Sequence, residues 1–277
     1  MPKDLSLLTT EQQNEKSLHI DEMETIDILK TINNEDLKVA IAIGNEIDSI
    51  AAAADALYEK ENYAEAAKVY LMVTKANGVS YEVYYNLGNC YYNLDDIPQA
   101  VLYYERAYLL NPGDADVRAN LALARGKTVD KVVPPSEMFF VTWWRELTHC
   151  MDVTSWTALG LTSFILMLVG VTLYMFMSQL WLRKIGVYGA MFLFVLLIVA
   201  NMAAFSQHRD MVNRNTAIIM APAVTVKSSP SDRSTDLFVI HEGSKVEIID
   251  KSMSDWIEVK FEEGKQGWIP VGAAEVI

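Results

Sequence analysis

Residues able to do chemistry are few in this chain, and their spacing argues against chemistry. Cys90 and Cys150 fall in no Cys-x-x-Cys or Cys/His ligand pattern, and His19, His149, His208 and His241 are scattered, so neither a disulfide framework nor a zinc site is expected. There is no Gly-x-Ser-x-Gly, no His-Glu-x-x-His and no P-loop, and no pair of carboxylates is poised for acid and base work. The expectation is a protein without catalytic residues, metal, cofactor or small-molecule substrate. A formal charge of −13 repels phosphate backbones and argues against nucleic acid. Much of that charge is N-terminal, since residues 1–60 hold 13 Asp/Glu against 5 Lys.

With catalysis set aside, function must lie in surfaces, and the chain's longest-range pattern shows where those surfaces sit. Two uncharged apolar runs, Val153 to Leu182 and Ile185 to Gln207, are separated by Arg183-Lys184. Each exceeds the ~20 residues that a helix needs to cross a ~30 Å hydrocarbon layer. The reading is a helical hairpin in a lipid bilayer, with transmembrane helices over 153–180 and 185–206 and both flanking regions in one compartment. Asn201 sits with Ala200 and Ala204 at a small-x-x-x-small spacing. Counting back from the turn puts it level with Thr162 and Ser163, so a hydrogen bond between the helices is expected, worth ~0.6 to 2 kcal/mol. Neither span holds an Asp, Glu, Lys or Arg, which disfavours an ion path.

Ahead of the hairpin, Ala54, Leu57, Tyr63, Ala66, Tyr70 and Val73 recur as Gly88, Tyr91, Ile97, Ala100, Tyr104 and Ala107, every offset being 34 residues. That period is the mark of the tetratricopeptide repeat, a helix-turn-helix unit stacked on its copies; a generic amphipathic bundle is the alternative. The domain is read as 47–131, with repeats at 47–80 and 81–114 and a capping helix at 115–127 presenting Leu121, Ala122 and Leu123. Gly88 and Ala100 would let helices cross closely, Tyr91 and Tyr104 would fill the space between repeats, and Pro112 would stop the second helix. Residues 1–46 read as a weakly ordered acidic segment whose apolar patches are too short for a secretory leader.

After the Val132 to Pro135 linker, residues 137–151 carry Phe139, Phe140, Trp143 and Trp144 beside Arg145. This composition suits a helix in the headgroup layer, although a tryptophan pair can also stack a ligand. Beyond the hairpin, short alternating segments near Ala217, Val224, Leu237, Lys245, Trp256, Gln266 and Glu275 predict a small β-barrel over 215–277. The turn at Glu262 to Lys265 has glycine at its tip. The fold class is thus a multidomain membrane protein: an α-helical repeat solenoid, two transmembrane helices and an all-β barrel.

The segments Val226 to Ser231, Leu237 to Gly243, Trp256-Ile257-Glu258-Val259 and Gly264 to Pro270 resemble a bacterial SH3 domain. The order of modules is similar to that of the BatE-type proteins of the bacterial aerotolerance operon, over residues 47 to 277. Residues 1–46 depart from that pattern, because such proteins usually begin with a cleavable leader. The resemblance implies an inner-membrane protein whose soluble modules face the periplasm beside von Willebrand A-domain membrane proteins and a MoxR-type ATPase. It carries no catalytic residues.

Two binding surfaces are expected. On the concave side of the repeats, Asp55, Tyr58, Tyr85, Asn86, Asn89, Tyr92 and Asn120 would line a peptide groove, with Asn amides pairing an extended backbone and Tyr rings supplying area; solvated helix-face residues are the plainer reading. No basic clamp for a carboxylate lies among them. On the barrel, Phe238, Trp256 and Trp268 would meet cell-wall peptides, unless Phe238 and a tryptophan belong to the core. Orientation is open: Arg183-Lys184 favours a cytoplasmic turn, but nothing recognisable would export the N-terminal domain.

Overall fold

The 34-residue period folds as helix pairs. The computed structural model describes residues 47–77, 80–131, 138–212, 214–262 and 265–277; the acidic segment 1–46, the Val132 to Pro135 linker and the tip of the 262–265 turn lie outside them. The chain divides into two compact units at residues 79 and 80. In the first, α1 (Ile47–Glu59) and α2 (Tyr63–Asn77) form a hairpin with Ala54, Ala66 and Tyr70 buried.

The second unit begins with α3 (Tyr81–Asn93) and α4 (Ile97–Leu110). Asp96 caps α4 by accepting from the Gln99 amide, and Pro98 stands in its first turn, where a missing N–H costs nothing. A Cβ on Gly88 would sit 2.5 Å from the Tyr104 ring, so glycine is what allows the two helices to cross. The Tyr104 ring packs at that crossing and shares a buried cluster with Leu121 and Ala124. Tyr91 stacks on Tyr103 at 5.4 Å. The capping helix α5 (Ala115–Lys127) is held at its start by Asp114. It buries Val117, Leu121 and Ala124, while Ala122 and Leu123 face outward; a 3.6-residue period cannot bury three consecutive positions.

Next come α6 (Phe139–Thr148), α7 (Val153–Phe176) and α8 (Leu180–Val212). Both α7 and α8 are long and apolar enough to cross a membrane, and only 11% of each apolar window is buried. Core helices of a globular domain are mostly buried, whereas these present Phe164, Leu168, Phe192 and Val195 outward. The pair is sealed by small residues. A Cβ on Gly186 would lie 2.6 Å from the Gly170 carbonyl, and Ala200, Ala203 and Ala204 pack with Trp156.

Two expectations change here. The turn is Met177 to Gln179, and Arg183 and Lys184 lie inside the first turns of α8, since both are good helix formers and charge alone does not break a helix. Arg183 packs over the Tyr174 ring at 5.0 Å. The shifted turn moves the register by a few residues, so Asn201 meets Gly160 and donates to the Leu197 carbonyl of its own helix at 2.8 Å. Thr162 is exposed and Ser163 is buried in the seam; the hydrogen bond expected between Asn201 and these two is not what holds the pair.

The C-terminal region is an antiparallel sheet of β1 (Thr216–Ile219), β2 (Ala223–Lys227), β3 (Asp236–His241), β4 (Lys245–Asp250), β5 (Trp256–Glu262), β6 (Lys265–Pro270) and β7 (Ala274–Val276). Their order is β3-β2-β6-β5-β4-β1-β7. Alternation places Val226, Ile240, Val259 and Ile269 in its core. Gly267 is required where β6 crosses β2, because a Cβ there would lie 2.6 Å from the Lys227 carbonyl.

Candidate protein-interaction surfaces

Of the expected groove residues, the structure joins Tyr85 and Asn89 on α3 with Asn120 on α5. Asn120 Nδ2 donates to Tyr85 Oη and to Asn89 Oδ1, each at 3.0 Å, and Tyr104 Oη donates to Asn89 Oδ1 at 2.7 Å. The first unit repeats this element 34 residues earlier, where the Tyr70 hydroxyl donates to Asp55. The network uses the oxygen of Asn89 and the nitrogen of Asn120. Among the described residues this leaves the Asn89 amide nitrogen and the Asn120 amide oxygen, a donor and an acceptor of the kind an extended backbone pairs with.

Asn86 is half-buried on the same helix. Tyr92 carries Lys127 Nζ 4.2 Å from its ring centre, and that ammonium also reaches Asp95 at 3.2 Å. The sequence reading missed this basic group, although Lys127 follows Asn120 by seven residues and so shares its helix face. In the first unit Tyr58 packs edge-on against Tyr63 at 5.1 Å.

A junction between the second repeat and the barrel was not anticipated. Ile218 and Ile277 of the barrel are buried in the same apolar cluster as Ala100, Leu102, Leu121 and Ala124. Glu105, its side chain 1% exposed, accepts from Arg125 and from Lys245 of β4, the latter at 2.9 Å. Burial pushes the Glu105 carboxyl up, but the Lys245 and Arg125 charges and hydrogen bonds outweigh it and hold the group below the ordinary carboxylate value. Arg106 donates to Glu275 at 2.9 Å and to the Val276 carbonyl at 2.7 Å, covering the β7 edge.

Farther along, Asp130 accepts from the His241 amide at 2.7 Å and from Ser244 Oγ at 3.0 Å, and lies 3.0 Å from His241 Nδ1. Burial works against its charged form, and these hydrogen bonds prevail and lower its pKa. Gly243, at φ +76°, turns the chain between β3 and β4 directly against Thr128.

The two apolar helices are tied together at one end. Gln207 of α8 donates to the carbonyls of Thr148 and Met151, the second at 2.7 Å, and Trp156 Nε1 donates to Thr148 at 2.9 Å. The chain therefore leaves the helix pair at the end where it entered. Tyr108 of α4 lies 3.0 Å from His149 Nδ1, and burial lowers the His149 pKa.

On the barrel, Phe238 leans into the core. Trp256 and Trp268 are half-buried on the face opposite Ile257 and Ile269, in register with Pro270 and Glu258 respectively.

The tetratricopeptide repeat family model matches residues 51–116 and the bacterial SH3 domain model residues 222–274. Among curated proteins, the chain is similar to N-acetylmuramic acid 6-phosphate etherases. It is 54% identical to that of Lactobacillus gasseri over 63 residues, 23% of this chain and 18% of the relative. With that of Clostridium acetobutylicum it shares 50% over 60 residues, 22% and 20% respectively. With that of Pasteurella multocida it shares 48% over 59 residues, 21% and 20%. The chain thus spans about a fifth of the length of these relatives. It carries a tetratricopeptide-repeat region and a bacterial SH3 domain, joined in sequence by two helices long and apolar enough to cross a membrane.

Proposed function

We propose that this protein is a non-catalytic, membrane-anchored scaffold that uses its repeat and SH3 modules to hold protein partners at a bacterial envelope membrane. The observation carrying this reading is the docked junction: Glu105 with Lys245 and Asp130 with His241 fasten the repeat to the barrel, and Tyr108 of the repeat meets His149 beside the end of the apolar helix pair that Gln207 closes. A scaffold of this kind presents a rigid composite surface at a fixed height above lipid. The half-buried Tyr85, Asn89 and Asn120 network would clamp an extended peptide. The apolar flanks of α7 and α8 call for lipid, and Trp143 and the exposed Phe139 of α6 suit the headgroup layer.

By resemblance to the aerotolerance-operon proteins, candidate partners are von Willebrand A-domain membrane proteins and a MoxR-type ATPase, with the soluble modules in the periplasm. Etherase activity is not part of the proposal, because a match over a fifth of an enzyme leaves most of its fold outside this chain. The test is site-specific photo-crosslinking in cells from Asn120 and from the outward Ala122 of the same helix. A partner band from Asn120 that is absent from Ala122 and lost on Asn89→Ala is expected. Equal crosslinking from both positions, or from neither, contradicts the groove.

A second reading, attachment to cell-wall peptides, is favoured by the outer-face placement of Trp256 and Trp268. It predicts that membranes bearing the full chain co-sediment with purified cell wall and that Trp256→Ala with Trp268→Ala abolishes this.

A further inference from the structure

Where α4, the 148–151 turn, the end of α8 and the barrel converge, they line a half-open cavity of about 250 Å3 that includes Glu105, Tyr108, His149, Gln207, Asp210 and Lys245. Its chemistry is lopsided. The one lysine of the lining spends its charge on Glu105, and burial disfavours the cationic form of His149, so little positive charge is left over. The acceptors are in surplus. Gln207 commits its amide nitrogen to the Thr148 and Met151 carbonyls, which fixes the side chain and leaves its Oε1 buried without a hydrogen-bond partner among the described residues. The Asp210 carboxylate, half exposed, makes among the described residues only a loose contact with Arg209, at 4.0 Å.

We propose that this cavity binds a primary ammonium group, presented either by a small soluble amine or by a phosphatidylethanolamine headgroup. A primary ammonium has three N–H donors and one positive charge, which answers both the orphaned amide oxygen and the uncompensated carboxylate. The volume exceeds that of a few waters at ~30 Å3 each, so an aminoethyl group fits. The cavity lies at the end of the helix pair, which is headgroup depth if those helices span a bilayer; the lipid source, though not the ammonium chemistry, rests on the membrane reading above. Ligand here would touch repeat, hairpin and barrel at once, and would therefore tighten the junction.

The test compares the full chain in nanodiscs containing phosphatidylethanolamine, phosphatidylcholine or phosphatidylglycerol, with retained lipid counted by native mass spectrometry. A separate arm titrates detergent-solubilised protein with ethanolamine and follows the His149 ring by NMR. Phosphatidylcholine is the decisive control, because its quaternary nitrogen has the charge without the N–H donors. Selective retention of phosphatidylethanolamine, weakened roughly tenfold by Asp210→Asn, supports the lipid source. Saturable ethanolamine binding with the same Asp210 dependence, without lipid selectivity, supports the site with a soluble source. Equal retention of phosphatidylethanolamine and phosphatidylcholine together with no ethanolamine binding overturns it, as does indifference of both to Asp210→Asn. Failure of the chain to enter membranes sinks the membrane reading alone and leaves the ethanolamine arm to decide.

Discussion

Lys245 of the barrel ends 2.9 Å from the carboxylate of Glu105, a fully buried acid on the second repeat that also accepts from Arg125. Two modules separated in sequence by a membrane-length hairpin thus share one buried charge. Removing Lys245 leaves the fully buried Glu105 carboxylate with Arg125 as its remaining charged partner, and that is where the cost of breaking the pair falls.

Lys245→Met should cost about 1 to 2 kcal/mol, a figure kept low because the lysine is itself about a third exposed. The junction should also be acid-sensitive. Glu105 titrates below its ordinary value when docked, so its contribution is fully present above roughly pH 4.3. It is lost as pH falls through the lowered folded value. Amide exchange at β4 across that range, in wild type and Lys245→Met, checks both statements.

Gly243→Ala should loosen the same junction for two separable reasons. Its backbone is left-handed at φ +76°, and an added Cβ would sit 2.7 Å from Thr128 Cγ2. Together these cost on the order of 2 to 4 kcal/mol. Adding Thr128→Ser removes the offending methyl but keeps the hydroxyl that bonds the Arg125 and Asp130 carbonyls. Chemical denaturation of the double variant should recover the steric part and retain the backbone part.

Gly186→Ala should separate the apolar helices, because its Cβ would meet the Gly170 carbonyl at 2.6 Å, and backbone cannot step aside. A loss of about 1 to 3 kcal/mol is expected. Gly189→Ala is the matched control, with nothing within 4 Å of the added carbon. Thermal unfolding in detergent should lower the midpoint for the first substitution and leave the second at or above wild type.

Features carried by local periodicity were legible in the sequence. The 34-residue offset located α1 to α4 together with the Gly88 crossing, the apolar Leu121 to Leu123 marked α5, and alternation located the strands to within a residue or so, because burial of one face dictates these patterns. The hairpin was legible as composition, but its register was not. Arg183-Lys184 looked like a turn because of charge, while the helix actually breaks at Met177 to Gln179, and the small error carried Asn201 away from Thr162 and Ser163. The docking of barrel on repeat left no pattern to read. Glu105 and Lys245 are single residues 140 positions apart, and neither type nor spacing marks a contact of that range. Of the residues expected to line a groove, Tyr85, Asn89 and Asn120 converge in one hydrogen-bond network, while Lys127 beside Tyr92 required knowing how α5 lies on α3.

If repeat and barrel occupy the same side of a membrane hairpin, labelling of single cysteines with a membrane-impermeant maleimide in sealed vesicles of known orientation will show it. The positions are Ala119 in the repeat, Ser254 in the barrel and Ser178 in the turn, each in a background with Cys90 and Cys150 replaced. Ala119→Cys and Ser254→Cys should label together, and Ser178→Cys should label only from the opposite side. Labelling of the repeat and barrel positions from opposite sides, or of all three from one side, would contradict it.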